Sequence, residues 1–303
     1  MAIVTPALLS ALKTGFQKNY QDGLTGAESA WNKIATEINS STASNTYGWL
    51  GQFPTFREWV GDRVIKDMAA QGYQITNKLW ESTVGVARTD IEDDNLGVYA
   101  PLFNEMGRAA GVQPDELVFA LLKAGTASLC YDGQNFFDTD HPVYPNVDGT
   151  GVAVTVSNND VPGVPETAWY LLDTSRSIKP LIFQRRTQPE LQALTSSDDE
   201  AVFTSDTYRY GVRSRCNVGF GFWQMAHRSQ QALDAANFNA AVQAMQERTA
   251  DGGRPLSIRP TLLVVPPALR AAALEVVKAE RLANGATNVN REMVDVLVTP
   301  WVM

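Results

Sequence analysis

The stretch from residue 91 to 124 limits the possible folds most. In DDNLGVYAPLFNEMGRAAG, Leu96, Tyr99, Leu102, Phe103, Met106 and Ala110 recur at helical spacing and share one face. Asp93–Asn95 supply N-terminal capping and dipole chemistry. Pro101 falls in the early turns, where a missing N–H is tolerated best, with a kink or a late start. Gly111 suits a C′ stop. Pro114 then opens a second helix, PDELVFALLKAG, with Asp115 and Glu116 in its first turn and Gly125 at its end. The spacing therefore predicts two helices with a break between Gly111 and Pro114.

Such apolar faces need something to lie on, and the remaining chain supplies strands. After residue 126, VAVTVS (152–157), TAWYLLDT, IKPLIFQRR and DTYRYGVRSRCNVGFGFWQMAHRS read as strands, and TSSDDEAV as a polar loop. LSIRPTLLVVP is a buried strand by composition, and VDVLVTPWV is another at the C-terminus, where a tail ending in Trp301, Val302 and Met303 is expected to pair. Helices are expected at 230–248 and 267–282. Before residue 91, Leu8, Leu9, Leu12 and Phe16, and then Trp31, Ile34 and Ile38, repeat at helical spacing, and SSTASNTYG (40–48) reads as a linker. GWLGQFPTFREWVG packs Trp49, Phe53, Phe56 and Trp59 onto irregular backbone, which usually means contact with the protein's own body or with another subunit. YQITNKLWE and TVGVART predict a hairpin or a pair of extended strands. Strands and helices mix without a βαβα beat, so the fold class is α+β.

Composition excludes several functions. At 303 residues and 44% hydrophobic content the chain can build a sizeable core. Lacking any run of 18 uncharged apolar residues, it is expected to span no membrane, and its N-terminus lacks the layout of a secretion signal. Net charge is −8, which disfavours a grip on nucleic acid by the whole surface. The best basic cluster, Arg185, Arg186, Arg209, Arg213 and Arg215, reads as a solvated sheet face or as inter-subunit ion pairs. Cys130 and Cys216, the only cysteines, read as small buried hydrophobes.

One segment carries chemistry-bearing residues close together. DGQNFFDTDHP (132–142) places Asp138, Asp140 and His141 within four positions. Asp132–Gly133 is hairpin-turn chemistry, Phe136 and Phe137 are core anchors, and His141 before Pro142 is held extended. The aspartates suit Asx-type turns. A metal site needs three or four converging ligands, and the only other histidine is His227, read as a boundary or surface residue. GxSxG, HExxH and GxxxxGK[ST] are absent. The turn reading outweighs the catalytic one, and no cofactor, metal or catalytic residue is expected.

DGQNFFDTDHP, the helix block from Asp93 to Gly125, RPLSIRPTLLVVPPALRAAALEVV and NVNREMVDVLVTPWV together, in this order, resemble the major head (capsid) subunits of Mu-like tailed phages and prophages. The resemblance implies the Hong Kong 97-type capsid fold. It implies an N-terminal arm (1–47), an E-loop over a neighbouring subunit (48–90), a peripheral domain with its spine helix (91–145), an axial domain (146–285) and a C-terminal strand returning to the peripheral domain (286–303). Trp49, Phe53, Phe56, Trp59 and Trp80 would contact other subunits; Asp132, Gly133, Asp138, Asp140 and His141 would form a structural turn. The implied partners are the chain itself in hexamers and pentamers, a scaffolding protein, a portal, decoration proteins and packaged double-stranded DNA held by non-specific contact. The implied location is the virion capsid, assembled in the bacterial host cytoplasm. The initiator Met1 favours a chain without a cleaved leading scaffold segment. Lys66 and Lys78 lie in the E-loop, but the acid from another subunit that a covalent lysine–asparagine cross-link would need is not readable from the residues, so the reaction is not predicted either way. The rivals are a cargo-enclosing shell of the same fold and a metal-dependent hydrolase using Asp132, Asp138, Asp140 and His141.

Overall fold

The computed structural model describes residues 4–50, 72–93, 96–196, 199–281 and 285–303. Helix α1 (Pro6–Gly26) starts where Thr5 Oγ1 accepts the Leu8 N–H at 3.2 Å and Pro6 fills the first turn, and it buries Phe16, Tyr20 and Gly23. A single turn, α2 (Trp31–Ile34), leads into strand β1 (Ala35–Asn39). The helical spacing of Trp31, Ile34 and Ile38 is thus a correction: pairing of β1 with a distant strand overrides it after one turn. The expected linker holds a short strand, β2 (Ser44–Thr46), paired with β3 (Gln74–Thr76). Of the two alternatives at 73–89 the structure has the pair of extended strands, β3 and the ten-residue β4 (Lys78–Ala87), which pair with β2 and β10 rather than with each other.

After α3 (Arg88–Glu92), the long helix α4 runs unbroken from Tyr99 to Lys123. This corrects the predicted break. Gly111 has no positive φ; a Cβ there would meet Ala27 Cβ at 2.5 Å, so the glycine serves the crossing with α1. Pro114 is buried within the helix, and its neighbours Asp115, Val118 and Phe119 are buried too, so packing offsets the missing hydrogen bond. The helix starts late, with Pro101 in its first turn; Asp93 ends α3, and Asp94 and Asn95 lie outside the described residues.

The remaining elements are β5 (His141–Val143), β6 (Val154–Val156), β7 (Asn159–Asp160), β8 (Trp169–Leu172), β9 (Leu181–Leu194), α5 (Glu200–Ser205), β10 (Thr207–Phe220), β11 (Ala226–Ser229), α6 (Ala235–Gln246), β12 (Leu262–Val265), α7 (Arg270–Val277) and β13 (Asp295–Val298). The stretch expected as a polar loop thus carries the short helix α5. β9 is longer than its sequence run suggests because it crosses Pro189 at a bulge, where residues 188 and 189 take no partner on β10.

Two sheets organise the molecule. The first has the order β1-β9-β10-β4, and Tyr208, Tyr210, Val212 and Val86 pack against Phe16, Tyr20, Phe103 and Met106 of α1 and α4. The second has the order β13-β12-β8-β11-β7 and is buried on both faces. Trp169, Leu171, Leu263 and Val265 face α6 and α7, while Tyr170, Leu172, Leu262 and Val264 face the end of α4 and Phe136–Phe137. The span 146–285 contributes to both sheets, since β9 and β10 lie with β1 and β4. The C-terminal strand β13 pairs in parallel with β12, and beyond it Lys123 of α4 donates to the Met303 carbonyl.

Candidate assembly surface and the 130–141 turn

The chain leaves α4 through a tight turn at 124–126, where a Cβ on Gly125 would meet the Phe137 ring at 2.6 Å. Leu129 and Asn135 then bridge, Cys130 N–H donates to Gln134 O at 2.8 Å, and Gly133 closes the turn at φ +84°. Asp132 sits inside. One carboxylate oxygen accepts the Gln134 N–H at 3.1 Å and lies 2.9 Å from Cys130 Sγ; the other lies 2.7 Å from His141 Nδ1. Burial alone would raise the Asp132 carboxyl, but hydrogen bonds from His141 and Cys130 hold it below its ordinary value. Burial pushes the Cys130 thiol far up, so it stays protonated and donates. His141 is fully buried and stacks on Trp223, ring centroids 3.9 Å apart and 8° from parallel.

Cys130, Asp132 and His141 offer ligand atoms within 4.8 Å of one another. Their contacts are those of two donors on one carboxylate, in a site closed to water. Of the four residues a hydrolase would use, only Asp132 and His141 meet. Asp138 accepts the Asn135 and Thr139 N–H groups at 3.2 and 2.7 Å, and Asp140 is exposed beside Thr139. Those four residues therefore do not converge on one point.

The aromatic residues divide. Trp49 is half-buried, with edge contacts to Tyr47 at 5.9 Å and Phe222 at 5.8 Å in its own chain. Trp80 is half-buried on β4 and donates through Nε1 to Cys216 O at 3.3 Å. Phe53, Phe56, Trp59 and Lys66 lie outside the described residues. In the basic cluster, Arg185 pairs with Glu37, while Arg209 and Arg213 are exposed and Arg215 is half-exposed on the first sheet.

The sequence reading missed one network. His227 is 1% exposed rather than superficial. Its Nε2 lies 2.7 Å from Asp160 and its Nδ1 3.1 Å from the buried Arg248, which also donates to Ala226 O at 2.9 Å. Burial lowers the His227 pKa, Asp160 opposes that and Arg248 adds to it; burial brings Arg248 down to about 9. The available signal was weak: a histidine at the end of a predicted strand, with partners 67 and 21 positions away.

Comparison with known proteins agrees with this geometry. The Major capsid protein of Escherichia phage Mu is 54% identical over 295 residues, 96% of each chain. The Mu-like prophage FluMu major head subunit of Haemophilus influenzae is 53% identical over the same shares. Among solved structures, the procapsid of bacteriophage JBD30 superposes with TM-score 0.87 at 70% identity, covering 98% of this chain and all of that one. The JBD30 capsid superposes with TM-score 0.78 at 53% identity over the whole of both chains. The α+β architecture is therefore the Hong Kong 97-type capsid fold, and these relatives are structural proteins of the virion capsid rather than enzymes. With a model of the Mu-like prophage major head subunit gpT matching residues 9–302, the chain belongs to that family.

Proposed function

We propose that copies of this chain associate into hexamers and pentamers and close an icosahedral shell around double-stranded DNA. The observation that carries this reading is the superposition on phage capsid subunits along nearly the whole chain. The mechanism is binding without turnover. In this reading residues 1–47 act as arm, 48–90 as E-loop, 91–145 as peripheral domain, 146–285 as axial domain and 286–303 as the returning strand. Trp49, Phe53, Phe56, Trp59 and Trp80 bury apolar area on neighbouring copies, and Trp49 shares its ring with Phe222 of its own chain. Asp132, Gly133, Asp138, Asp140 and His141 fix the junction that follows α4. The net charge of −8 repels phosphate, so DNA is held by enclosure rather than adhesion. A scaffolding protein and a portal complete the assembly. Decoration is supported by a JBD30 capsid, similar to this chain at TM-score 0.78, that carries minor capsid protein trimers.

Electron microscopy of purified material, with nuclease-protected DNA measured on the same sample, tests this. Closed shells retaining DNA are expected from infected or induced cells. Discrete small oligomers, or shells filled with protein cargo and no nucleic acid, would refute it.

A further inference from the structure

His227 is wedged between an anion and a cation. Its Nε2 lies 2.7 Å from the Asp160 carboxylate, which can only accept, so this nitrogen carries the proton. Its Nδ1 lies 3.1 Å from Nη2 of Arg248, which can only donate, so this nitrogen is bare and accepts. The partners thus assign a single neutral tautomer. The other histidine, His141, differs. Its Nδ1 faces the Asp132 carboxylate and its Nε2 has no hydrogen-bond partner, so a further proton there displaces no donor.

Among the described residues Arg248 is held by neutral acceptors alone. Buried just past the end of α6, it donates through Nη1 to the carbonyls of Gln224 and Ala226 and through Nη2 to His227, while its Nε has no hydrogen-bond partner. Neighbouring charges are engaged elsewhere. Arg228 donates to Asn159 Oδ1, Glu247 accepts from Gln243 Nε2, and β8 beside β11 reads Trp-Tyr-Leu-Leu and brings none. The Trp223 ring lies 5.8 Å from the Arg248 guanidinium and stacks on His141, which is itself paired with Asp132. Protonation at Nδ1 of His227 takes away an acceptor of Arg248 and sets a second positive charge against it. Asp160 holds the imidazolium through Nε2, so Arg248 is the group that leaves. Its departure withdraws a donor from the carbonyls of Gln224 and Ala226, where β11 begins.

We propose that Asp160, His227 and Arg248 form a proton-operated latch: a proton on Nδ1 of His227 expels Arg248 and opens the start of β11 and its junction with α6. The opening reaches the 130–141 turn through Trp223 and His141. The ligand is the proton itself, and return to neutral pH closes the latch. This goes beyond the shell reading and does not depend on it.

Hydrogen–deuterium exchange of the purified full-length chain tests it, at about pH 7 and about pH 5 and corrected for the intrinsic effect of pH. Asp160, held below its ordinary value of 3.8, stays charged throughout. A site that takes up one proton on opening raises the opening constant by up to about tenfold per pH unit below its unfolded value of 6.5, until the folded imidazole titrates too. Amides of Ala226–Ser229 should accelerate accordingly, while those of Leu262–Val265 in β12 stay slower and mark the opening as local. His227→Gln keeps a donor for Asp160 and an acceptor for Arg248 but cannot titrate, so its exchange should not respond to acid. Asp160→Asn removes the anion that favours the imidazolium in the closed state, so its acid-to-neutral ratio of rates should exceed the parent's. A merely structural role for Asp160 would raise exchange equally at both pH values. Acceleration that persists in His227→Gln overturns the proposal. So does a parent without acceleration, joint opening of β11 and β12, or an equal or smaller ratio in Asp160→Asn.

Discussion

The same substitution in the same helix should have opposite effects at two glycines of α1. A Cβ added at Gly15 would meet nothing within 4 Å, and the position is exposed, so Gly15→Ala gains helix propensity alone, about 0.5–1 kcal/mol. Gly23 lies at the crossing with α4, where a Cβ would stand 1.9 Å from the Asn104 carbonyl oxygen and 2.8 Å from its carbon. The reciprocal contact exists at Gly107, whose Cβ would stand 2.0 Å from Tyr20 O. These obstacles are backbone, so relief requires the helices to part and loosens the Phe16–Phe103 stack at 4.3 Å. Overpacking of this kind sits at the upper end of its usual cost, about 3 kcal/mol, and less the propensity gain leaves a net loss of about 2 kcal/mol. Thermal unfolding of unassembled subunits reads the difference. At about 2–4 °C per kcal/mol, Gly15→Ala should melt a few degrees above the parent and Gly23→Ala at least about 4 °C below it. If both variants melt higher, close helix contact is not what places glycine at 23, and the account of the α1–α4 crossing is wrong.

Three further outcomes follow from buried polar groups. Asp115 accepts the Ala30 N–H at 3.0 Å and the Trp31 N–H at 2.7 Å, so Asp115→Ala leaves both donors stranded and should cost about 2–4 kcal/mol in denaturant unfolding, with Asp115→Asn losing less. Asp132→Ala strands His141 and Cys130 and should cost about 2–3 kcal/mol, while chelators leave the parent's melting temperature unchanged; a chelator-induced drop would point to a bound metal instead. His227 has its folded pKa below the unfolded value of 6.5, so protons bind the unfolded chain better, and its contribution is complete above about pH 6.5 and is lost as pH falls toward the folded pKa. Asp160, also lowered, adds a further loss only as pH falls below its unfolded value of 3.8. His227→Gln should therefore flatten the melting-temperature profile just below pH 6.5; an unchanged slope there would assign the acid sensitivity elsewhere.

Much of the architecture was legible because it is written locally. The apolar face of α4, the buried run of β12 and the alternation in β10 each follow from one element's own periodicity. The errors share a cause: the deciding contact lies far along the chain. Gly111 and Pro114 spell a helix stop by local chemistry, yet α1 packs over Gly111 through Ala27 and the helix continues. Asp115 looks like first-turn dipole chemistry and is in fact the cap of a segment 85 residues earlier. The runs within 73–89 fit a hairpin as well as two separate strands, and the choice is made by the distant β10: Gly85 lies opposite Arg209, where a Cβ would press on Thr207 at 2.9 Å, and β4 runs straight through. The turn at 132–141 was readable in its bends, not in the Asp132–His141 pair, because nine residues must close before the two side chains meet.

The buried polar side chains tie together segments distant in sequence. Gln184 donates to Ile75 O at 3.1 Å and to Asn77 Oδ1 at 2.9 Å and accepts from Tyr47 Oη at 2.7 Å, at the point where β2 and β3 meet the first sheet. Asn158 donates to Phe136 O at 2.7 Å, joining the approach to β7 to the turn after α4. Asp160, His227 and Arg248 join β7, β11 and the end of α6. Each such group adds little net stability when satisfied and is costly when its partner is displaced. The network therefore penalises misplacement more than it raises stability. That asymmetry suits a shell subunit, in which a small error in the angle between the two sheets would recur in every copy and keep the shell from closing. Among the described residues these side chains face one another between elements, so their work is to hold the two sheets and the turn after α4 in register.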